Sequence, residues 1–148
     1  KAQPSIPGTV VIALGTNSFN VAKVRVKAPT ATDSGERTKK DADGHNVIAG
    51  QDSAESFAQG VDTIMAMVPA TTTVYWVGMY LDDKQWAGVH WRANNAAMKA
   101  AVAKHPNAKF LDYAAYAQQA KIPYMNDGSH PTPKGMGIRA HWIVSQLG

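Results

Sequence analysis

A chain of 148 residues, 45% apolar and 18% charged, is long enough for one globular domain with a core and too short for two ordinary ones. The absence of cysteine excludes disulfides, Cys-ligated zinc and a thiol nucleophile. The net charge is +4, but the basic residues are spread out and only Arg37, Lys39 and Lys40 form a dense group, so a solvated surface is expected and not a nucleic-acid footprint.

In chain order, no apolar run reaches the length of a membrane span, and no apolar stretch of signal-peptide type follows Lys1 to Ser5. Thr9 to Leu14 is a continuous apolar, β-branched run between Pro7-Gly8 and Gly15, which suits a strand buried on both faces. Asn17 follows at its carboxyl end, where open α/β sheets bind ligands; a turn Asn is an equal reading of that position. Residues from about 19 to 50 are irregular. Val21 to Lys27 alternates as a short strand would, and Thr30 to Asn46 reads as an exposed loop.

Ser53 reads as a helix N-cap. Phe57, Val61, Ile64, Met65 and Val68 then share one helical face, and Pro69 ends the helix. Thr73 to Tyr80 is a second buried strand, and a loop carrying Asp82, Asp83 and Trp86 follows. Trp91 to Lys104 reads as a helix with Ala97, Met98, Ala101 and Val102 inward, broken by His105-Pro106-Asn107. Ala108 to Asp112 is a short third strand, and Asp112 caps a short helix over Tyr113 to Ala120. The last helix runs from Pro133 to about Leu147, with Met136, Ala140, Ile143, Val144 and Leu147 as its buried stripe. Strands alternating with helices argue for α/β with a parallel sheet and right-handed crossovers. No phosphate-binding glycine pattern occurs, and His45, His90, His105 and His141 show no metal-ligand spacing.

The stretch richest in chemistry is Asp127-Gly128-Ser129-His130-Pro131-Thr132-Pro133. Thr132 and Pro133 read as N-cap and first residue of the last helix, so the loop is pinned at its far end. An Asp three residues before a His can fix its tautomer, and the imidazole can then act as general base and acid. A surface turn is the plain alternative. Asn17 has a side-chain amide that can donate to an oxyanion.

These residues resemble the SGNH (GDSL-like) hydrolases, in the bacterial branch found as extracytoplasmic domains of cell-wall and glycan O-acyltransferases. Val10 to Asn17 is similar to the family's third block, a strand followed by Gly-x-Asn, and Val74 to Val77 to its next core strand. Asp127 to Gly135 resembles the last block, which carries the acid and base. Asn94-Asn95 before a helix and Phe110-Leu111-Asp112 before a short helix fit the same arrangement. The likeness spans most of the chain except about residues 19 to 50.

The resemblance implies a flavodoxin-like three-layer α/β/α sandwich with a parallel sheet, of which this chain supplies about three strands in one incomplete domain with an irregular insertion at about 19–50. It implies a serine esterase or O-acyltransferase acting on acyl esters of glycans or cell-wall polymers, or a lipid-like acyl ester, without metal or organic cofactor. The roles implied are His130 as base, Asp127 as its orienting carboxylate and Asn17 as oxyanion donor. The location implied is extracytoplasmic or secreted.

One departure stands out. The family's Gly-Asp-Ser turn and a second block with an oxyanion Gly precede the Gly-x-Asn strand, but here only eight residues precede Thr9. Gly50-Gln51-Asp52-Ser53 echoes the first block superficially, yet the helix after Ser53 matches one between later blocks, so Ser53 is the weaker candidate nucleophile and the better N-cap. The expectation is an N-terminal companion, missing segment or separate chain, that carries Gly-Asp-Ser. The alternative is a catalytically degenerate module that binds carbohydrate or a protein partner.

Overall fold

In a computed structural model of the chain, the residues described are 8–14, 38–40, 46–48, 54–82 and 91–147. The elements in order are β1 (Thr9–Ile12), β2 (Thr38–Lys40), β3 (Asn46–Ile48), α1 (Ala54–Ala66), β4 (Thr73–Val77), α2 (Trp91–Val102), β5 (Ala108–Leu111), α3 (Tyr113–Gln119) and α4 (Pro133–Ser145). β1, β4 and β5 form one parallel sheet in the order β1-β4-β5. The α/β class expected from the alternation of elements is therefore present. None of the described helices is long and apolar enough to cross a membrane.

β4 organises the core because it is covered on both faces. Val74 and Trp76 pack with Val61 and Met65 of α1 and with Met98, Ala101 and Val102 of α2. Tyr75 and Val77, one residue out of phase, pack with Leu111, with Tyr113 and Ala117 of α3, and with Ile138 and Trp142 of α4. The strand period of two thus divides one short sequence between two helical layers. Each such fully buried large side chain stabilises the fold by about 1.5–3 kcal/mol. Val61 and Met65 on α1 fall one helical turn apart, as the sequence spacing requires.

The chain leaves β4 through a side-chain bridge. Met79 N donates to Asn95 Oδ1 at 2.8 Å, and Asn95 Nδ2 donates to Met79 O at 2.7 Å. One amide from α2 so satisfies both backbone groups of a residue beyond the strand's end. A buried backbone group left unbonded there would cost about 1–3 kcal/mol.

Several expectations change. The second strand ends at Val77, although Gly78 and Met79 remain buried. Asn94 and Asn95 lie inside α2 and not before it. Thr38–Lys40, expected within a loop, is a strand paired antiparallel with Asn46–Ile48. β1 is not covered on both faces: Val11 is 38% exposed and Leu14 beyond it 62%. In α4 the packed side chains are Ile138, Trp142 and Ile143, with Leu147 just past its end, while Met136 and Val144 of the expected stripe are 60% and 67% exposed. α4 is apolar on more than one side, so periodicity alone admits two inner faces. Two aromatic residues of α3 select the one carrying Trp142: Tyr116 stacks on its ring at 4.7 Å and Tyr113 lies at 5.8 Å. The expected strand at Val21 to Lys27 lies outside the described residues.

Candidate active site

The loop before α4 is built by backbone hydrogen bonds. Met125 N donates to His130 O at 2.8 Å, Gly128 N to Met125 O at 2.9 Å, and Thr132 N to Pro123 O at 3.0 Å. Tyr124 and Pro131 form an antiparallel bridge at its base. Gly128 has φ 68°, a left-handed conformation that disfavours side chains, and it makes the reversal between Asp127 and Ser129 possible. Gly128 O accepts from Asp82 N at 2.9 Å, which ties the loop to the chain leaving β4, at the carboxyl end of the sheet.

The far end is fixed as the sequence suggests. Thr132 caps α4, its hydroxyl accepting from Gly135 N at 3.2 Å, and Pro133 opens the helix. Gly135 is buried against Pro123: a Cβ there would stand 2.5 Å from Pro123 O. The Tyr124 hydroxyl meets that of Tyr113 at 2.9 Å, and its ring lies 5.0 Å from Tyr80. Burial, and then the Tyr113 hydroxyl, keep the Tyr124 hydroxyl protonated far above the usual phenol range.

Asp127 and His130 are brought together within this loop. Asp127 Oδ1 accepts from Ser129 N at 2.8 Å and from His130 N at 2.9 Å, while Oδ2 meets His130 Nδ1 at 2.8 Å. The His130 and Ser129 amides, and then the imidazole, hold the Asp127 carboxyl well below the ordinary carboxylate range. An ionised Asp127 can only accept, so Nδ1 carries the proton and Nε2 presents its lone pair. The Asp127–His130 bond does not use Nε2, and the imidazole is 70% exposed. This is the geometry of a positioned general base.

Ser129 is excluded as the nucleophile of that base. Its hydroxyl lies 3.0 Å from Nδ1 and 3.3 Å from Asp127 Oδ1, on the side of the ring away from Nε2. Ser145, on α4, donates to Trp142 O at 2.7 Å. Asn17 and Ser53 lie outside the described residues, as does Trp86. Tyr80 and Trp91 meet edge to face at 5.8 Å, and Trp91, only 1% exposed, belongs to the core. A separate cleft of about 340 Å³ opens between α2 and α3 beyond the end of β5, lined by Arg92, Ala96, Lys99, Phe110, Ala115 and Gln118 among others.

Two contributors escape a sequence reading. Asn95 was legible in principle, because a polar residue sits on the inward stripe of α2 between Trp91 and Met98. Tyr124 had no local signal: its partner Tyr113 is eleven residues away on another element. Compared with family models, with curated proteins and with solved structures, the chain matches none.

Proposed function

We propose that this chain carries the acid–base half of an SGNH-type serine esterase or O-acyltransferase. The observation behind this reading is the 2.8 Å bond from His130 Nδ1 to Asp127 Oδ2, which orients the ring and leaves Nε2 out of the bond. In the proposed reaction a serine hydroxyl gives its proton to His130 Nε2 as its oxygen attacks the acyl carbonyl. The tetrahedral oxyanion is stabilised by the Asn17 side-chain amide. It collapses as His130 returns the proton to the leaving alcohol oxygen, leaving an acyl-enzyme. A water or an acceptor hydroxyl, deprotonated in turn by His130, attacks that ester; as the bond from the acyl carbon to the serine oxygen breaks, His130 returns the proton to the serine and the acid or the transferred ester is released. Asp127 stays ionised throughout and stabilises the imidazolium. The serine comes from outside the 148 residues, and acyl esters of glycans or cell-wall polymers are the substrate class.

Turnover of a model acyl ester such as p-nitrophenyl acetate by the full-length gene product tests this reading. His130→Ala is expected to lower kcat by about 10³–10⁶-fold. Unchanged turnover in that variant would reject it. A second reading is favoured by one observation: neither Ser129 nor Ser145, the serines with described side chains, is placed for Nε2. On that reading the domain is a catalytically degenerate module that binds carbohydrate or a protein, and no esterase activity is found in the full-length product.

A further inference from the structure

The bonds that orient His130 are internal to its own turn. Asp127 accepts from the Ser129 and His130 amides and meets His130 Nδ1, so residues 127 to 130 hold the imidazole relative to one another and not relative to the sheet. Where the turn stands on the rest of the molecule is decided one step below it. The bonds from Thr132 N to Pro123 O and from Met125 N to His130 O flank the Tyr124–Pro131 bridge. Tyr124 and Pro131 are therefore one cross-strand pair, and Met125 and His130 the next. Successive pairs turn their side chains to opposite faces. The Tyr124 ring goes inward, against the core cluster that includes Tyr113 and Ile122, while the His130 side chain is 70% exposed.

Tyr124 is held from two directions. Its ring lies 5.0 Å from that of Tyr80, on the chain leaving β4, and Tyr80 in turn meets the buried Trp91 at the start of α2. Its hydroxyl meets the Tyr113 hydroxyl at 2.9 Å. Tyr113 is the buried first residue of α3, and Arg139 and Trp142 of α4 lie against its ring. One side chain at the foot of the turn thus engages α2, α3, α4 and the exit of β4, directly or through one neighbour. Burial keeps the Tyr124 hydroxyl protonated, so it offers a hydrogen bond and no acid–base chemistry. At the tip of the turn the tie to the chain leaving β4 is a single backbone bond, from Asp82 N to Gly128 O.

We infer that Tyr124 is a positioning residue for His130. Its bond to Tyr113 and its contact with Tyr80 set where the Asp127–His130 turn stands on the sheet, and the geometry inside the turn is left to Asp127. Placement matters to a base, because a shift of about 1 Å can cost about 10²-fold in rate. The inference rests on the proposed hydrolase in naming what the placed imidazole does; the placement itself does not.

Tyr124→Phe and Tyr113→Phe, made in the full-length gene product, remove the same bond from its two sides, and either variant alone suffices should the other fail to fold. Amide hydrogen exchange reads the placement without any substrate. The Met125 and Thr132 amides should exchange at least about tenfold faster than in the parent, and by a larger factor than the Val74 amide of β4, which is bonded to Asn107 O. The nitrogen chemical shifts of the His130 ring should keep their parent values, because the Nδ1 bond to Asp127 is untouched. On a model acyl ester kcat should fall about tenfold, with KM within about twofold. Parent exchange rates at Met125 and Thr132 would overturn the inference. So would an acceleration no greater than at Val74, which is lost stability alone, or displaced ring resonances, which would put the effect of Tyr124 inside the turn. Faster ladder exchange in a protein whose parent turns over no ester would keep the placement and remove the hydrolase. Ester turnover with unaltered exchange would do the reverse.

Discussion

Among the described residues two Asp–His pairs are bonded at 2.8 Å, and they differ in nearly every respect that decides chemistry. His105 reaches Asp62 with Nε2, the end of the ring, across 43 positions of sequence. That bond, with Lys104 Nζ at 3.5 Å from the same carboxylate, clamps the turn after α2 onto α1. His130 reaches Asp127 with Nδ1 across three positions, so Nε2 is not used in the bond, and the imidazole as a whole is 70% exposed. The carboxylates differ too. Asp62 is held below its ordinary value chiefly by the His105 side chain, Asp127 chiefly by two backbone amides. A carboxylate fixed by backbone keeps its charge and position whatever the imidazole does, as a base-orienting group requires. One pair spends its imidazole on structure and the other keeps it available.

Substitutions that treat the pairs alike should separate them. The largest expected contrast is between His130→Ala, which removes the proposed base, and His105→Ala, which should leave kcat on a model ester within about twofold while lowering the melting temperature by about 2–4 °C. Equal loss of activity in both would erase the distinction. Next, Asp127→Asn should lower kcat by about 10²–10⁴-fold through the wrong imidazole tautomer, with KM little changed, whereas Asp62→Asn should leave both constants alone. Steady-state kinetics on purified variants checks this.

Gly128→Ala should have an intermediate effect. Its φ of 68° costs a non-glycine residue about 1–2 kcal/mol, read by chemical denaturation, and a displaced loop should lower kcat less than Asp127→Asn does. The smallest effect is in acid. Both carboxyl groups have folded values below the unfolded value of about 3.9, so each stabilises the fold above that pH and loses its contribution as pH falls towards the folded value. Melting temperatures followed from pH 5 downward should fall less steeply in Asp62→Asn and in Asp127→Asn than in the parent. A steeper fall in either would contradict the sign.

What the sequence discloses about these regions follows from how local each one is. Asp127 and His130 are legible because the whole pair lies in a four-residue turn pinned by Thr132 and Pro133. α1 and β4 are legible because Val61 and Met65, or Val74 and Trp76, repeat at the period of their element. β2 is not, because Thr38-Lys39-Lys40 has no apolar alternation and its strand character exists only in pairing with Asn46–Ile48. The Asp62–His105 clamp and the Asn95–Met79 bridge depend on tertiary approach, which periodicity does not encode. β1 and α4 teach a different lesson. Their apolar patterns describe a more covered environment than the described residues provide: Val11, Met136 and Val144 are all exposed among them.

The most direct test of the central claim, that His130 is an oriented base serving a serine, is fluorophosphonate labelling of the full-length gene product with mapping of the labelled residue by mass spectrometry. One serine outside residues 1–148 is expected to be labelled, about 10²-fold or more slowly in His130→Ala and at the parent rate in His105→Ala. A labelling rate indifferent to His130, or no labelled serine in a folded, homogeneous protein, would contradict it.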